Sequence, residues 1–350
     1  MTRSTDPLGL AASLAQSAGL APARRVEPLP GGRNNRVFRV ELADGASAAL
    51  KIYFRHPDDP RDRLGAEWDF LEHARTRAPG WTTAPLARDA ATGAALHGFI
   101  EGKRFTPEQI DAAAVEKAAN FIQKVASPGV AGRLRIASEA CFSISEHVAA
   151  VDRRVRRLEA IDPQAPQTRE AASFVNESLR PAWERVRDEI SKNCRAFGLD
   201  PDARIEDAEI IASPSDFGFH NALQTEKGCV FLDFEYAGRD DPAKLVCDFF
   251  CQPALPVAAA QQELFLAAVL DDLGLAHHRE RVNVLLDAYR IKWIAIILND
   301  FLSVGEQRRA FAITEDQDTR RLRQLDLARA RLDALVQNNG ALPARTEFGR

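Results

Sequence analysis

The chain has 350 residues, 45% of them hydrophobic, and a formal net charge of −4. This length has room for about two domains, which excludes a peptide hormone, a disulfide knot or a single small binding module. Residues 1–100 carry 13 basic and 11 acidic side chains and the other 250 residues carry 33 and 39. Because no strongly basic region stands out, we expect no nucleic-acid partner, and the slight asymmetry suggests two dissimilar lobes.

The cysteines and the N-terminus predict a cytoplasmic protein. The five cysteines contain no CxxC pair, which favours buried thiols in a reducing compartment. The first 20 residues lack the continuous apolar core of a secretory signal. The most apolar segment, residues 294–298, is too short to cross a bilayer, so we expect no membrane span.

The N-terminal third alternates between strand and helix patterns. Phe38, Val40 and Leu42 alternate with polar residues, and a second alternating run at residues 50–54 follows the turn at residues 43–46, which predicts an antiparallel hairpin. Residues 62–77 return to a period near 3.6 and predict a helix that carries Glu67. Two shorter apolar runs, at residues 85–87 and 95–100, predict further strands.

Beyond about residue 106 the pattern is mostly helical, with one interruption. Two short apolar runs, at residues 222–223 and 230–232, flank a turn at residues 227–228 and predict a small hairpin. Acidic residues stand at both ends of this hairpin. The arginine-rich stretch at residues 320–331 is typical of a solvated helix face.

Residues around this hairpin form a set suited to phosphoryl transfer. Asp216 and Asn221 are five residues apart, and Asp233 ends the second apolar run. A carboxylate that accepts a hydroxyl proton, with an amide and a second carboxylate that hold Mg²⁺, is what this chemistry needs. Each residue alone has a simpler explanation, since a single Asp in a loop usually caps a turn or helix. Their combination favours a metal–nucleotide site.

The N-terminal hairpin offers groups suited to the nucleotide. Gly31 and Gly32 stand between two predicted strands, where main-chain N–H groups can approach phosphate, although such glycines also occur in ordinary turns. Lys51 on the next strand can neutralise phosphate charge, and Glu67 on the following helix can hold that lysine in place.

The ordered motifs GGRNNRVFRV, ALKIY, AEWDFLEHAR, FIEG, SDFGFHN and FLDFEYAGRDDP resemble the aminoglycoside phosphotransferase and choline kinase family, small-molecule relatives of the protein kinases. The resemblance covers about residues 28–250. It implies that Asp216 is the catalytic base, that Asn221 and Asp233 bind Mg²⁺, and that Lys51 contacts the α- and β-phosphates with Glu67 as its partner. The nucleotide-binding residues that it implies further are Gly31, Gly32, Asn35, Phe99 and Ile100, the last two through main-chain groups near adenine.

The sequence also departs from the pattern of that family. Its members usually carry a histidine two residues before the base, where this chain has Pro214, so the loop needs another brace. A histidine stands instead at position 220. Glu235 follows Asp233 in a motif closer to choline kinases than to protein kinases. An acidic residue often found at position 245 is replaced by Leu245, and the roles of His220 and Asp248 stay open.

The resemblance implies an α+β, bilobal protein-kinase-like fold. The small antiparallel-sheet lobe takes residues 1–100, the hinge lies at about residues 99–103, and residues 101–350 form the helical lobe with the catalytic and metal loop. The implied activity is ATP- and Mg²⁺-dependent transfer of the γ-phosphoryl group to a hydroxyl of a small molecule, with a sugar or sugar-containing precursor slightly preferred. The alternatives are a regulatory nucleotide-binding pseudokinase and an AMP-transferring enzyme. The oligomeric state is not indicated.

Overall fold

A computed structural model gives the structure of the protein and describes residues 6–30, 35–57, 59–129, 131–166, 168–226, 228–302 and 317–339. By its internal contacts the chain divides into two compact units. The described residues of the first lie within 6–142 and 204–282, and those of the second within 143–203, 283–302 and 317–339. The division into lobes near residues 99–103 stays a prediction.

The N-terminal part of the first unit is a five-stranded antiparallel sheet with strand order β1-β2-β3-β5-β4. Its strands are β1 (Ala23–Pro28), β2 (Arg36–Leu42), β3 (Ser47–Ile52), β4 (Pro85–Asp89) and β5 (Ala94–Gly98). The predicted hairpin is therefore confirmed, with Phe38 opposite Leu50 in the register of β2 and β3.

Two helices, α1 (Pro7–Ser17) and α2 (Arg63–Arg77), accompany this sheet. Alternation along β3 places Leu50 and Ile52 in a core that also contains buried residues of α1. Lys51 and Tyr53 point to the opposite face, where Tyr53 packs with residues of α2. The carboxylate of Asp62 caps α2 by accepting a hydrogen bond from the Gly65 N–H at 3.0 Å. The period-two pattern thus directs Lys51 towards the helix that carries Glu67.

Shorter strands position the loops that follow. They are β6 (Lys103–Arg104), β7 (Ile211–Ser213), β8 (Ala222–Thr225), β9 (Gly228–Phe231) and β10 (Gly238–Asp240). Strands β6, β8 and β9 form one sheet, and β7 pairs with β10. The β8–β9 pair is the small hairpin that the sequence predicts.

The remaining described helices are α3 (Ala112–Val125), α4 (Ile144–Arg157), α5 (Arg169–Phe174), α6 (Arg180–Phe197), α7 (Pro242–Cys251), α8 (Gln262–Leu266), α9 (His278–Ile297) and α10 (Gln317–Asn339). A π-helical turn, Val175–Leu179, joins α5 to α6. Within the described residues, no helix combines the length and apolarity needed to span a bilayer. All five cysteines are buried, as predicted.

The arginine-rich helix α10 departs from the expectation of a fully solvated face. Arg320 is buried, and its Nε donates to the Asp300 carboxylate at 3.1 Å. A buried guanidinium needs a carboxylate partner because an unpaired charge is costly to desolvate. The sequence pattern shows the charges of this helix but not the position of Asp300, so the expectation is wrong for Arg320.

Candidate active site

The centre of the candidate site is a buried cation between two carboxylates. Lys51 on β3 donates from Nζ to Glu67 Oε2 and to Asp233 Oδ1, both at 2.6 Å. The Tyr53 hydroxyl donates to the same Glu67 oxygen at 2.8 Å. Lys51 and Glu67 are buried, whereas 36% of the Asp233 side chain is exposed. Three residues that the sequence singles out therefore meet in one cluster.

This cluster contains more carboxylates than positively charged side chains. Burial opposes the charge of Lys51, but Asp233, Glu67 and Glu235 together raise the pKa of Lys51 above its ordinary value, so the lysine stays charged. Burial also raises the pKa of Asp233, and although Lys51 opposes this shift, Glu67 and Asp216 add to it. One lysine thus faces several carboxylates. An additional cation near Asp233 would relieve their repulsion.

The predicted base, Asp216, lies in the loop between β7 and a 3₁₀ turn, Phe219–Asn221. Its Oδ1 is 3.1 Å from His220 Nε2, and 30% of its side chain is exposed. The Asn221 amide nitrogen donates to the main-chain carbonyl of Asp216 at 2.9 Å. The carboxylate is therefore both held by a neighbour and accessible from outside, as a base for a diffusing substrate must be.

Ser215 connects this loop to the segment that follows Asp233. Its hydroxyl donates to the Tyr236 carbonyl at 2.9 Å, and its N–H donates to the Ser213 hydroxyl at 3.1 Å. Ser215 has φ +64° and Asp233 has φ +65°, so both residues adopt the left-handed conformation that is uncommon for non-glycine residues. The Ser215–Tyr236 bond connects the Asp216 loop to the segment after Asp233.

The hairpin of β8 and β9 brings the two predicted metal ligands together. The strands pair from Ala222 opposite Phe231, and the Leu232 N–H then donates to the Asn221 carbonyl at 2.8 Å. Asn221 and Asp233 thus flank the open end of one hairpin although they are twelve residues apart. Carboxylate and amide oxygens suit Mg²⁺, and the carboxylate-rich surroundings of Asp233 favour a cation, so these residues fit the ion.

Asn35, which the resemblance implies to bind the nucleotide, is a buried residue with partners inside the protein. It is buried, its amide nitrogen donates to Glu235 Oε2 at 2.6 Å, and its amide oxygen accepts from the Phe54 N–H at 3.1 Å. Arg63 Nε lies 3.5 Å from the same Glu235 oxygen. Sequence reasoning missed this use of Glu235, which holds the start of β2 on the segment after Asp233. A role of Asn35 in nucleotide binding stays a prediction.

Of the other predicted nucleotide-binding residues, the structure describes Phe99 and Ile100. Gly31 and Gly32 lie outside the described residues. Phe99 and Ile100 directly follow β5 and are half-buried, and the Arg39 guanidinium lies 4.6 Å from the centre of the Phe99 ring. Their main-chain contact with adenine stays a prediction.

Asp248, whose role the sequence leaves open, is buried on α7 in a separate charge cluster. Its carboxylate is 3.8 Å from Lys244 Nζ, and Lys244 also donates to Asp240, the last residue of β10. Burial opposes the charge of Lys244, but Asp240 and Asp248 raise its pKa above the ordinary value. Asp248 therefore balances the charge of a buried lysine at the start of this helix.

Comparisons with known proteins place this geometry in a known fold. No family model matches the chain, and no curated protein matches it. Among solved structures, a choline/ethanolamine kinase family protein from Mesorhizobium loti is 21% identical, with a TM-score of 0.55 over 94% of this chain and 97% of that one. Choline kinase from Streptococcus pneumoniae is 17% identical, with a TM-score of 0.56 over 90% and 96%.

A third solved structure was determined with ligands. Spectinomycin phosphotransferase in complex with ADP and spectinomycin is 12% identical to this chain, with a TM-score of 0.58 over 93% of this chain and 97% of that one. At these identities the likeness concerns the fold. The predicted α+β fold of choline kinases and aminoglycoside phosphotransferases, with a small antiparallel sheet and a helical part, is thereby confirmed.

Proposed function

We propose that this protein transfers the γ-phosphoryl group of ATP, with Mg²⁺, to a hydroxyl group of a small molecule. The observation that carries the proposal is the Lys51–Glu67–Asp233 cluster, to which the Asp216 loop is connected through Asn221 and Ser215. This arrangement combines a fixed cation, Lys51, an accessible carboxylate, Asp216, and the oxygen ligands of Asn221 and Asp233 within the first compact unit. The proposal is also supported by fold neighbours named as kinases and phosphotransferases, one of them in complex with ADP.

In this proposal Asp216 receives the acceptor hydroxyl. Its partly exposed carboxylate accepts a hydrogen bond from the hydroxyl and orients the hydroxyl oxygen towards the γ-phosphate. The carboxylate takes the hydroxyl proton as the new O–P bond forms, while the bond between the γ-phosphorus and the bridging oxygen breaks and ADP leaves. His220, 3.1 Å from Oδ1, restricts rotation of the carboxylate. Because the transition state of phosphoryl transfer is loose, orientation and charge neutralisation supply most of the rate enhancement.

Lys51 then acts as a fixed positive charge for the α- and β-phosphates. Its position is set before the nucleotide arrives, because Glu67 holds it at 2.6 Å and Tyr53 in turn holds Glu67. A charge that needs no reorganisation during the reaction stabilises the transition state most effectively. Asn221 and Asp233 would hold Mg²⁺, which when bound neutralises charge on the phosphate oxygens.

For the acceptor we propose a sugar or sugar-containing precursor as the first class to test. The acidic excess of residues 101–350 is also compatible with a cationic acceptor. The names of the fold neighbours include choline kinases and a spectinomycin phosphotransferase, so choline and aminoglycosides belong in the same screen.

The test is ADP release from Mg²⁺·ATP over this acceptor panel, with the wild-type chain and the Asp216→Asn and Asp233→Asn variants. We expect Asp216→Asn to lower kcat by roughly 10²–10⁴-fold, since that is the usual contribution of a general base, while ATP binding is retained. Asp326→Asn, an exposed carboxylate on α10, is the matched control and should leave kcat unchanged.

The outcomes separate the proposal from its alternatives. Full phosphotransfer by Asp216→Asn would overturn the assignment of the base. Nucleotide binding without turnover over the whole panel would favour a pseudokinase, and a product that carries AMP would favour nucleotidyl transfer. Mass spectrometry of the product distinguishes the added phosphoryl group from AMP.

A further inference from the structure

A second cluster of metal-ligating side chains lies away from the Lys51 cluster. Glu209 ends a 3₁₀ turn, Asp207–Glu209, just before β7, and His277 and His278 stand at the beginning of α9. One ligating atom from each of the three side chains lies within 4.8 Å of the other two. His277 Nε2 is 2.5 Å from Glu209 Oε1, and His278 Nε2 is 3.6 Å from Glu209 Oε2.

His278 is the unusual member of this cluster. Its side chain is only 3% exposed, yet neither ring nitrogen has a hydrogen-bond partner within the described part of the chain. A buried polar group without a partner is rare in a folded protein, because it loses its bonds to water and gains none in return. Its Nε2 lies beside the Glu209 carboxylate, where an ion could bridge the two groups.

The Glu209 carboxylate is held in place by its own turn. Its Oε2, the oxygen that lies 3.6 Å from His278 Nε2, also accepts a hydrogen bond from the Glu206 N–H at 3.0 Å. This ligand is therefore oriented before an ion binds.

We propose that Glu209, His277 and His278 bind a divalent transition-metal ion of the Zn²⁺ type, with water at the remaining position. Two imidazole nitrogens and one carboxylate oxygen suit Zn²⁺, Co²⁺ or Ni²⁺ better than Mg²⁺, which prefers oxygen ligands. Around an ion with ligand bonds of about 2.0–2.1 Å, tetrahedral ligand atoms are about 3.4 Å apart. The two nitrogen–oxygen distances, 2.5 Å to Oε1 and 3.6 Å to Oε2 of Glu209, lie on either side of this separation, and all three ligand atoms lie within 4.8 Å of one another. Rotation of these side chains would bring them to the separation that an ion requires.

The ion would connect the segment that enters β7 to the beginning of α9. Strand β7 leads directly into Ser215 and Asp216, so the proposed site would stabilise the base of the loop that carries the candidate catalytic residues. The site is proposed independently of the phosphotransferase function, because its test requires neither nucleotide nor acceptor.

The test uses the full chain freed of metal with EDTA and then dialysed. We expect Zn²⁺, titrated by calorimetry without nucleotide, to bind with a stoichiometry of one ion per chain and to raise Tm reversibly. Co²⁺ should give visible absorption typical of nitrogen and oxygen ligands in a tetrahedral site. Since 59% of the His277 side chain is exposed, His277→Gln should fold normally and bind Zn²⁺ at least tenfold more weakly.

Glu209→Gln serves as the second variant and should weaken binding in the same way. His73→Gln is the matched control: His73 is half-buried in the same unit and bonds to the Val125 carbonyl at 2.8 Å. It should bind Zn²⁺ as the wild type does. Wild-type affinity in His277→Gln, absence of binding at micromolar Zn²⁺, or a Co²⁺–thiolate absorption band would each overturn the proposal.

Discussion

His97 is the buried side chain whose titration the structure defines best. It lies on β5 on the same face of the sheet as Lys51, with Nε2 3.3 Å from the Tyr53 hydroxyl. Burial lowers the pKa of His97 to about 4, although Glu67 partly opposes this shift. The imidazole is therefore neutral in the folded protein over most of the acidic range, and it sits beside the Lys51–Glu67 pair as a hydrogen-bonding group.

This pKa predicts a loss of stability in mild acid. The unfolded chain binds a proton at this imidazole below about pH 6.5, whereas the folded chain binds it only near pH 4, so the free energy of unfolding falls as the pH drops between these values. From pH 7.5 to 5.5 His97 should contribute about 1.4 kcal/mol of this loss. Urea unfolding at both values should show a correspondingly smaller loss for His97→Gln.

The control is His56→Gln, the same substitution at a half-exposed position, which shows how far loss of any one imidazole changes the pH dependence. Other histidines, such as the half-buried His73, also have lowered pKa values, so the test is the difference between the variants rather than the total slope. Parallel pH dependences for wild type and His97→Gln would show that His97 is not protonated selectively in the unfolded chain.

At the scale of elements, one hydroxyl connects the loop after β7 to the segment that follows Asp233. Ser215→Ala removes the bond to the Tyr236 carbonyl, which costs about 1 kcal/mol on average, while the backbone keeps φ +64°. Because this bond positions Asp216 and does not touch the Lys51 cluster, we expect Ser215→Ala to lower kcat more than it raises the KM for ATP. Steady-state kinetics of ADP release measures both.

Ser17→Ala provides the comparison for Ser215. Its hydroxyl also donates to a main-chain carbonyl, that of Ser13 at 3.0 Å, on an exposed face of α1. This variant should leave both kinetic constants unchanged. If Ser215→Ala raised only the KM for ATP, the bond would belong to nucleotide binding rather than to the position of the base.

Strand β10 allows no side chain at Gly238. A Cβ there would lie 2.5 Å from the Ala137 nitrogen and from the Arg135 carbonyl oxygen, since residues 135–137 run alongside the strand. Backbone atoms cannot move aside as a flexible side chain can, so Gly238→Ala should lower the free energy of unfolding by roughly 1–3 kcal/mol. Gly132→Ala meets open space and should be nearly neutral in the same urea titration.

At the scale of the whole molecule, local patterns predicted the elements and the linear order of the site. Alternation at residues 38–42 and 50–54 found β2 and β3, and the period near 3.6 found α2 with Glu67. A strand before Gly31 was implied, but the bounds of β1 were not predicted, because its sequence ARRVEP leaves only half-buried and exposed positions and so lacks an alternating apolar pattern. Strands with an alternating burial pattern could therefore be located from the sequence, whereas a strand without this pattern could not.

Contacts between distant residues could not be predicted from these patterns. Asn35 and Glu235 are 200 residues apart, and nothing in either segment indicates their bond. The departure at Pro214 did indicate that the loop needs a brace, but not that Ser215 supplies it through Tyr236. Glu209 and the histidine pair, 68 residues apart, likewise meet only through the fold. The spacing of residues along the sequence thus identifies side chains that share a hairpin. The partners of side chains on distant segments are decided by how those segments pack.

The balance of charge in the whole site predicts that nucleotide and metal stabilise the fold together. ATP alone would bring negative charge to a cluster whose carboxylates already outnumber Lys51, so ATP with Mg²⁺ should raise Tm more than either does alone. At a free Mg²⁺·ATP concentration of 100 times Kd the stabilisation is about 2.7 kcal/mol, which corresponds to a rise of several degrees.

Asp233→Asn separates the metal-dependent part of this shift from the rest. It keeps the shape of the side chain but removes a negative charge, so we expect the additional rise due to Mg²⁺ to disappear while Asp326→Asn retains it. Thermal unfolding with ATP, ADP and Mg²⁺, added singly and together, measures each part. Absence of any shift at millimolar Mg²⁺·ATP would contradict the nucleotide site, and an Mg²⁺-dependent rise that survives in Asp233→Asn would contradict Asp233 as the ligand. Because a ligand of the folded state must raise Tm, the measurement tests the site before any acceptor is known.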